Sequence, residues 1–148
     1  MKTQTICELG LTYKTKKDLN EVPTITSPDK AEKYLRSIFD KNTIELREEF
    51  IIVLLNNAKK VLGWSRISIG GVNATIVDPC SVFRVAILAN SSSLILSHNH
   101  PSGRLEFSQA DIKLTRKIIE IGKLFSIDVA DHIILTKDSY SSYMSKGI

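Results

Sequence analysis

A chain of 148 residues with 43% hydrophobic content has apolar material for one substantial core and little for a second. Its apolar residues fall in short runs, none near the ~18 consecutive apolar residues a membrane span needs, so a transmembrane helix is excluded. Twenty basic residues against 16 acidic ones leave a net charge of +4. Apart from Lys14, Lys16 and Lys17 the basic residues are dispersed, and such charge alone supplies only sequence-independent attraction to phosphate, so it identifies no nucleic-acid partner.

Met1 to Leu9 contains no apolar block of signal-peptide length and no small-residue cleavage site, so a cytoplasmic protein is expected. Cys7 and Cys80 lie far apart, outside any close metal-binding or redox pairing, and are expected as free thiols. Residues 1–26 read as a leading strand, with Thr5, Ile6, Leu9, Leu11 and Tyr13 at alternating or β-branched positions, followed by an irregular linker at Glu21-Val22-Pro23-Thr24. Residues 27–148 read as the main domain. Ser27 and Pro28 form a cap and first helical position, and Ala31, Tyr34, Leu35, Ile38 and Phe39 recur at one-face helical spacing.

From Phe50 the period changes. Phe50-Ile51-Ile52-Val53-Leu54-Leu55 is a continuous β-leaning run stopped by Asn56-Asn57, and Val61 to Ile69 follows, ending at Gly70-Gly71; a hairpin is expected. Asp78-Pro79 opens a second helix through Val82, Val85, Ala86 and Ala89, and Leu94-Ile95-Leu96 is a buried strand running into a histidine pair. A third helix spans Ser108 to about Phe125, Ile127 to Leu135 is a further strand, and Tyr140, Ser142 and Tyr143 belong to a short final helix. The fold class is α/β of the α+β type, a mixed sheet flanked by helices, without internal repeats. Trp64, Tyr34, Phe39 and Cys80 are expected to pack.

Two of the three histidines fall in His98-Asn99-His100 at a strand end, where period-two geometry points both imidazoles to one side. Pro101-Ser102-Gly103 then turns the chain, and Asp111 in the first turn of the next helix can swing back toward them. Two imidazoles, one carboxylate and a water make the three-ligand, one-open-position set of catalytic zinc. Ser108-Gln109-Ala110-Asp111 is also a plain capping box, and a His-x-His pair can be merely hydrogen-bonded, so each half alone has an ordinary structural reading. The offsets of His98, His100, Ser108 and Asp111 taken together are far more specific than either half.

These residues resemble the JAMM motif of the JAB/MPN metalloenzyme superfamily, and His98-Asn99-His100-Pro101-Ser102-Gly103 resembles its bacterial RadC form. The likeness extends through Arg47-Glu48-Glu49-Phe50, Leu54-Leu55-Asn56, Gly70-Gly71 and Asp131-His132-Ile133-Ile134, over roughly residues 27–148. It departs at Phe107, where RadC-like proteins usually carry proline before the motif serine. The resemblance implies a JAB/MPN-like fold with a cytidine-deaminase-like three-layer arrangement. It further implies zinc held by His98, His100 and Asp111, and a zinc-activated water cleaving amide or isopeptide bonds in a peptide or protein substrate. Glu48, or Glu49 in its place, would be the general acid/base, and Ser108 would serve the developing oxyanion, or only the helix cap. His132 is expected to be a structural histidine held by local hydrogen bonds. The RadC label also brings a DNA-repair expectation: an accessory protein binding DNA or a repair partner, or a metal-dependent nuclease. The segment before Ser27 is too short for the helix-hairpin-helix region of longer RadC relatives, which weakens that expectation.

Overall fold

The apolar run beginning at Phe50 forms the middle of a sheet. In the computed structural model, which describes residues 10, 12, 14, 17–70 and 76–148, it lies in strand β1 (Glu49–Leu55), every residue of which is buried. A strand covered on both faces needs apolar side chains at successive positions, and this run supplies them. β1 turns through residues 56–59 into its antiparallel neighbour β2 (Val61–Ile69). The Asn56 side chain closes the turn, accepting from the Lys60 N–H at 2.9 Å. On the other side of β1, β3 (Ser93–Asn99) runs antiparallel to it, β4 (Asp128–Leu135) runs parallel to β3, and the short β5 (Tyr140–Ser142) closes the edge. The order is β2-β1-β3-β4-β5. The parallel β3–β4 pair needs a crossover, and the 17-residue helix α3 (Gln109–Phe125) provides it.

Alternation along β1 sorts the core into two layers. Ile51, Val53 and Leu55 face α1 (Pro28–Arg36), packing with Ala31, Leu35, Ile95, Ile133 and Leu135. Phe50, Ile52 and Leu54 face the opposite way, toward α3 and α2 (Pro79–Leu88), packing with Leu94, Leu96, Val82, Phe83 and Ile118. The result is the expected three-layer α+β arrangement. Ser27 and Asp78 cap α1 and α2, each followed by proline at the start of the helix. At the end of α3, a Cβ on Gly122 would meet the Ile127 carbonyl oxygen at 2.3 Å, so only glycine lets the helix approach the start of β4 this closely.

Several expectations are corrected. Helix α1 ends at Arg36, and Ile38 and Phe39 lie in the turn beyond it, where Phe39 is still buried. The tail forms β5 before its last helix, α4 (Tyr143–Lys146); three residues are too few to show a period. Trp64 is 43% exposed on the edge strand β2, with the Arg66 guanidinium 5.8 Å from its ring centre. Cys80 is an exposed free thiol rather than a packed one. Thr5, Ile6, Leu9, Leu11 and Tyr13, named for the expected leading strand, and Cys7 lie outside the described residues. No described helix is long and apolar enough to cross a membrane.

Candidate metal centre

His98 is the sixth residue of β3, and His100 follows the strand's end, where its N–H still donates to the Leu135 carbonyl of β4 at 2.9 Å. The ladder therefore keeps both side chains on the α3 side of the sheet, and their Nε2 atoms stand 2.9 Å apart. The turn predicted at Pro101-Ser102-Gly103 forms, with the Gly103 N–H donating to the His100 carbonyl at 3.0 Å and Gly103 at φ +82°. It brings the Arg104 carbonyl back to within 2.8 Å of His100 Nδ1. A carbonyl can only accept, so Nδ1 carries the proton and, in the neutral ring, Nε2 presents its lone pair to the site.

Asp111 arrives from the first turn of α3. Its Oδ1 is 3.4 Å from His98 Nε2 and its Oδ2 is 3.7 Å from His100 Nε2. The capping box is also present: the Asp111 N–H donates to Ser108 Oγ at 3.1 Å, and the Ser108 N–H donates to Asp111 Oδ2 at 2.8 Å. The cap holds the carboxylate toward the imidazoles. Burial alone would raise the pKa of Asp111, but the adjoining imidazoles of His100 and His98 and the Ser108 N–H outweigh it and hold the carboxyl well below the usual carboxylate range. For His100 burial acts downward, yet the Asp111 carboxylate, the Arg104 carbonyl and the Glu48 charge together hold its pKa above the ordinary histidine value.

The two glutamates before Phe50 part company by alternation. Phe50 pairs with His98 across the β1–β3 ladder, so Glu48 shares the histidine face and Glu49 the opposite one. Glu48 is half-buried, and desolvation raises its pKa against the opposing pull of His98 and His100. Glu49 is buried and accepts from Arg47 Nε at 3.1 Å and Arg66 Nε at 2.7 Å. Asn99, between the two histidines, points away from them and clips the Glu48 segment to β3. Its Nδ2 donates to the Ile44 and Arg47 carbonyls, both at 2.8 Å, and its Oδ1 accepts from the Glu49 N–H at 2.7 Å.

The donor set fits a metal ion. One ligand atom each from His98, His100 and Asp111 lies within 4.8 Å of the others. Tetrahedral zinc with bonds near 2.0–2.1 Å spaces its ligand atoms at roughly 3.3 Å; the two Nε2 atoms stand 2.9 Å apart, and the two Asp111 oxygens approach them at 3.4 Å (Oδ1 to His98) and 3.7 Å (Oδ2 to His100), on either side of that value. Two imidazoles and a single carboxylate suit a borderline ion such as zinc better than the all-oxygen shells of calcium or magnesium.

A family model described as "RadC-like JAB domain" matches residues 25–148. The chain belongs to that family. Among its relatives, a UPF0758 protein of Desulforamulus reducens is 46% identical over 102 residues, covering 69% of this chain and 45% of the relative. A UPF0758 protein of Alkaliphilus metalliredigens is 47% identical over 102 residues, covering 69% and 44%. One of Methanosarcina barkeri is 41% identical over 110 residues, covering 74% and 48%. The chain spans less than half the length of each of these relatives.

Within this RadC-like domain, Phe107 fills the space behind the two histidines. It is buried, with its ring edge-on to His98, His132 and Tyr143 at centroid distances of 6.5, 5.3 and 5.5 Å. His132, expected to rely on local partners, is instead fully buried beside the site, its Nε2 2.8 Å from His98 Nδ1 and its Nδ1 2.7 Å from Thr115 Oγ1. Desolvation, reinforced by the nearby imidazoles His98 and His100 against Asp111, pushes the His132 pKa well down, so it stands neutral. Sequence reasoning missed Asn99, Thr115 and this role of His132. Periodicity puts His132 on the same face of β4 as Ile134, but only the β3–β4 register sets Ile134 beside His98.

Proposed function

We propose that the protein is a zinc-dependent metallohydrolase that cleaves amide or isopeptide bonds in a peptide or protein substrate. The observation that carries this reading is the convergence of His98, His100 and Asp111 with the half-buried carboxylate of Glu48 inside their electrostatic field. When bound, zinc supplies a Lewis acid that brings a water's pKa toward neutrality. His98 and His100 offer nitrogen lone pairs and Asp111 a carboxylate oxygen. Glu48, its pKa raised toward the working pH, accepts the water's proton and returns it to the leaving nitrogen. Ser108 is exposed, its oxygen accepts from Asp111, and among the described residues its O–H donates to no acceptor. That O–H is therefore available to the oxyanion that forms as the carbonyl is attacked.

The test is metal analysis of the purified protein beside Asp111→Ala, followed by peptide, isopeptide and DNA substrates with and without chelator. Stoichiometric zinc lost in the variant, with chelator-sensitive cleavage of a peptide or isopeptide bond, is expected. Equal zinc in both proteins overturns the ligand assignment. Chelator-sensitive cleavage of DNA alone would make the site that of a nuclease.

A further inference from the structure

The second nitrogen of His98 leads away from the metal site along a buried path of hydrogen bonds. His98 Nδ1 is 2.8 Å from His132 Nε2, His132 Nδ1 is 2.7 Å from Thr115 Oγ1, and Thr115 Oγ1 donates to the Asp111 carbonyl at 2.7 Å. We infer that Thr115 and His132 are positioning residues that fix the metal-binding tautomer of His98 and tie its ring to the helix turn that carries Asp111. This rests on the metal-centre reading above and assigns the pair a role within it.

The direction of every bond follows from its far end. A backbone carbonyl has no proton, so the Thr115 hydroxyl gives its own proton to the Asp111 carbonyl. Thr115 Oγ1 then accepts, and the donor is His132 Nδ1–H. A neutral imidazole carries one ring proton, so His132 Nε2 presents a lone pair, and His98 Nδ1–H must donate to it. His98 Nε2 is left without a proton, facing His100 Nε2 at 2.9 Å and Asp111 Oδ1 at 3.4 Å. At the other ring the Arg104 carbonyl imposes the same outcome on His100. Two backbone carbonyls thus turn both lone pairs inward beside a carboxylate, and a cation is what satisfies that arrangement.

The surroundings leave the path no substitute partner. Thr115 and His132 are 0% exposed and His98 is 1% exposed, so bulk water does not reach these bonds. Phe50 stacks on His98 with centroids 6.0 Å apart and meets His132 edge-on at 5.6 Å, and Phe107 also meets both rings edge-on. Thr115 lies one helical turn beyond Asp111 on α3, so the path joins ligands from two different elements, β3 and α3.

Two readouts test the inference. Long-range proton–nitrogen correlation spectra of the metal-free wild type are expected to show His98 protonated at Nδ1; protonation at Nε2 overturns the inference. Zinc affinity, measured by chelator competition, is expected to fall roughly 10-fold in Thr115→Val and up to roughly 100-fold in His132→Leu, the range for residues that orient metal ligands. Thr115→Ser keeps the hydroxyl and His132→Gln offers an acceptor and a donor, so both are expected to recover affinity. Thr115→Val is nearly isosteric and keeps the test open if His132→Leu fails to fold. Affinity unchanged in folded Thr115→Val, even with a lower melting temperature, reduces the pair to core structure and overturns the inference. A wild type that binds no zinc sinks the metallohydrolase reading, while the His98 spectrum still decides this one.

Discussion

Glu48 and Glu49 are adjacent and chemically alike, yet alternation along β1 gives them opposite consequences when each is replaced by glutamine. Glu49 is 3% exposed and receives the Nε–H groups of Arg47 and Arg66. A hydrogen bond to a charged group contributes roughly 1.5–3 kcal/mol when fully buried. The two arginine side chains are 43% and 37% exposed, so solvent screening reduces each interaction to about 1 kcal/mol. Glu49→Gln keeps one acceptor oxygen but turns an N–H2 group toward a guanidinium, and its expected cost is about 2 kcal/mol. For a chain of this length that lowers Tm by about 4–8 °C. Glu48 has no hydrogen-bond partner for its carboxylate among the described residues, and burial already disfavours its charged form. Glu48→Gln is therefore expected to change stability by no more than about 0.5 kcal/mol while slowing turnover by about 10²–10⁴. The measurement is thermal unfolding in chelator, so that metal linkage does not enter, paired with rates on the zinc-loaded proteins. A larger fall in Tm for Glu48→Gln than for Glu49→Gln would refute the argument from strand alternation.

Zinc must displace the proton that His100 holds above the ordinary histidine pKa. Apparent affinity is therefore expected to fall as pH drops through that raised value, beginning above about 6.5 and by up to about tenfold per pH unit per proton; affinity that is flat between pH 8 and 6 in chelator competition excludes His100 as a ligand. Asn99→Ala leaves the Ile44 and Arg47 carbonyls and the Glu49 N–H without their shared partner. It is expected to lower stability by about 2–3 kcal/mol and to reduce turnover more than zinc affinity, since Glu48 is released and the imidazoles are not; equal losses in both would count against the clip. Ser108→Gly keeps most of the cap, so its stability cost is a few tenths of a kcal/mol against about 1 kcal/mol for Ser108→Ala. Both variants are expected to lose roughly 10²–10³ in kcat if the hydroxyl serves the oxyanion, and full activity in either restricts Ser108 to capping.

What was legible in the sequence was whatever chain-local physics decides. Ser27-Pro28 and Asp78-Pro79 announced helix starts because a cap acts over three residues, and the β1 run announced a strand covered on both sides because it never alternates. His98, His100 and Asp111 were legible as a group because one strand end, one turn and one helix start suffice to bring them together. The choice between Glu48 and Glu49 was not legible, because it depends on the register of β1 against β3, which no short window contains. His132 and Thr115 escaped for the same reason: one lies on a parallel neighbour reached only through the α3 crossover, and the other is an unremarked threonine one turn past a ligand. Trp64 and Cys80 misled because hydrophobic character does not say which strand is the edge or which helix face meets solvent.

Each device that shapes the site is built from the chain's own residues. The β3–β4 ladder aims His98 and His100, the capping box holds Asp111, the Asn99 clip fixes the approach of Glu48, and Phe50 and Phe107 enclose the rings behind. The fold has its own core on both faces of the sheet. This separates the centre from structural zinc sites, where four protein ligands close around the metal and the binding energy is the folding energy. Here three side chains converge, and among the described residues no fourth His, Cys, Asp or Glu joins the group. An ion held there would add stability by mass action, as any ligand of the folded state does, and under the proposed function the position left open would be where the chemistry occurs.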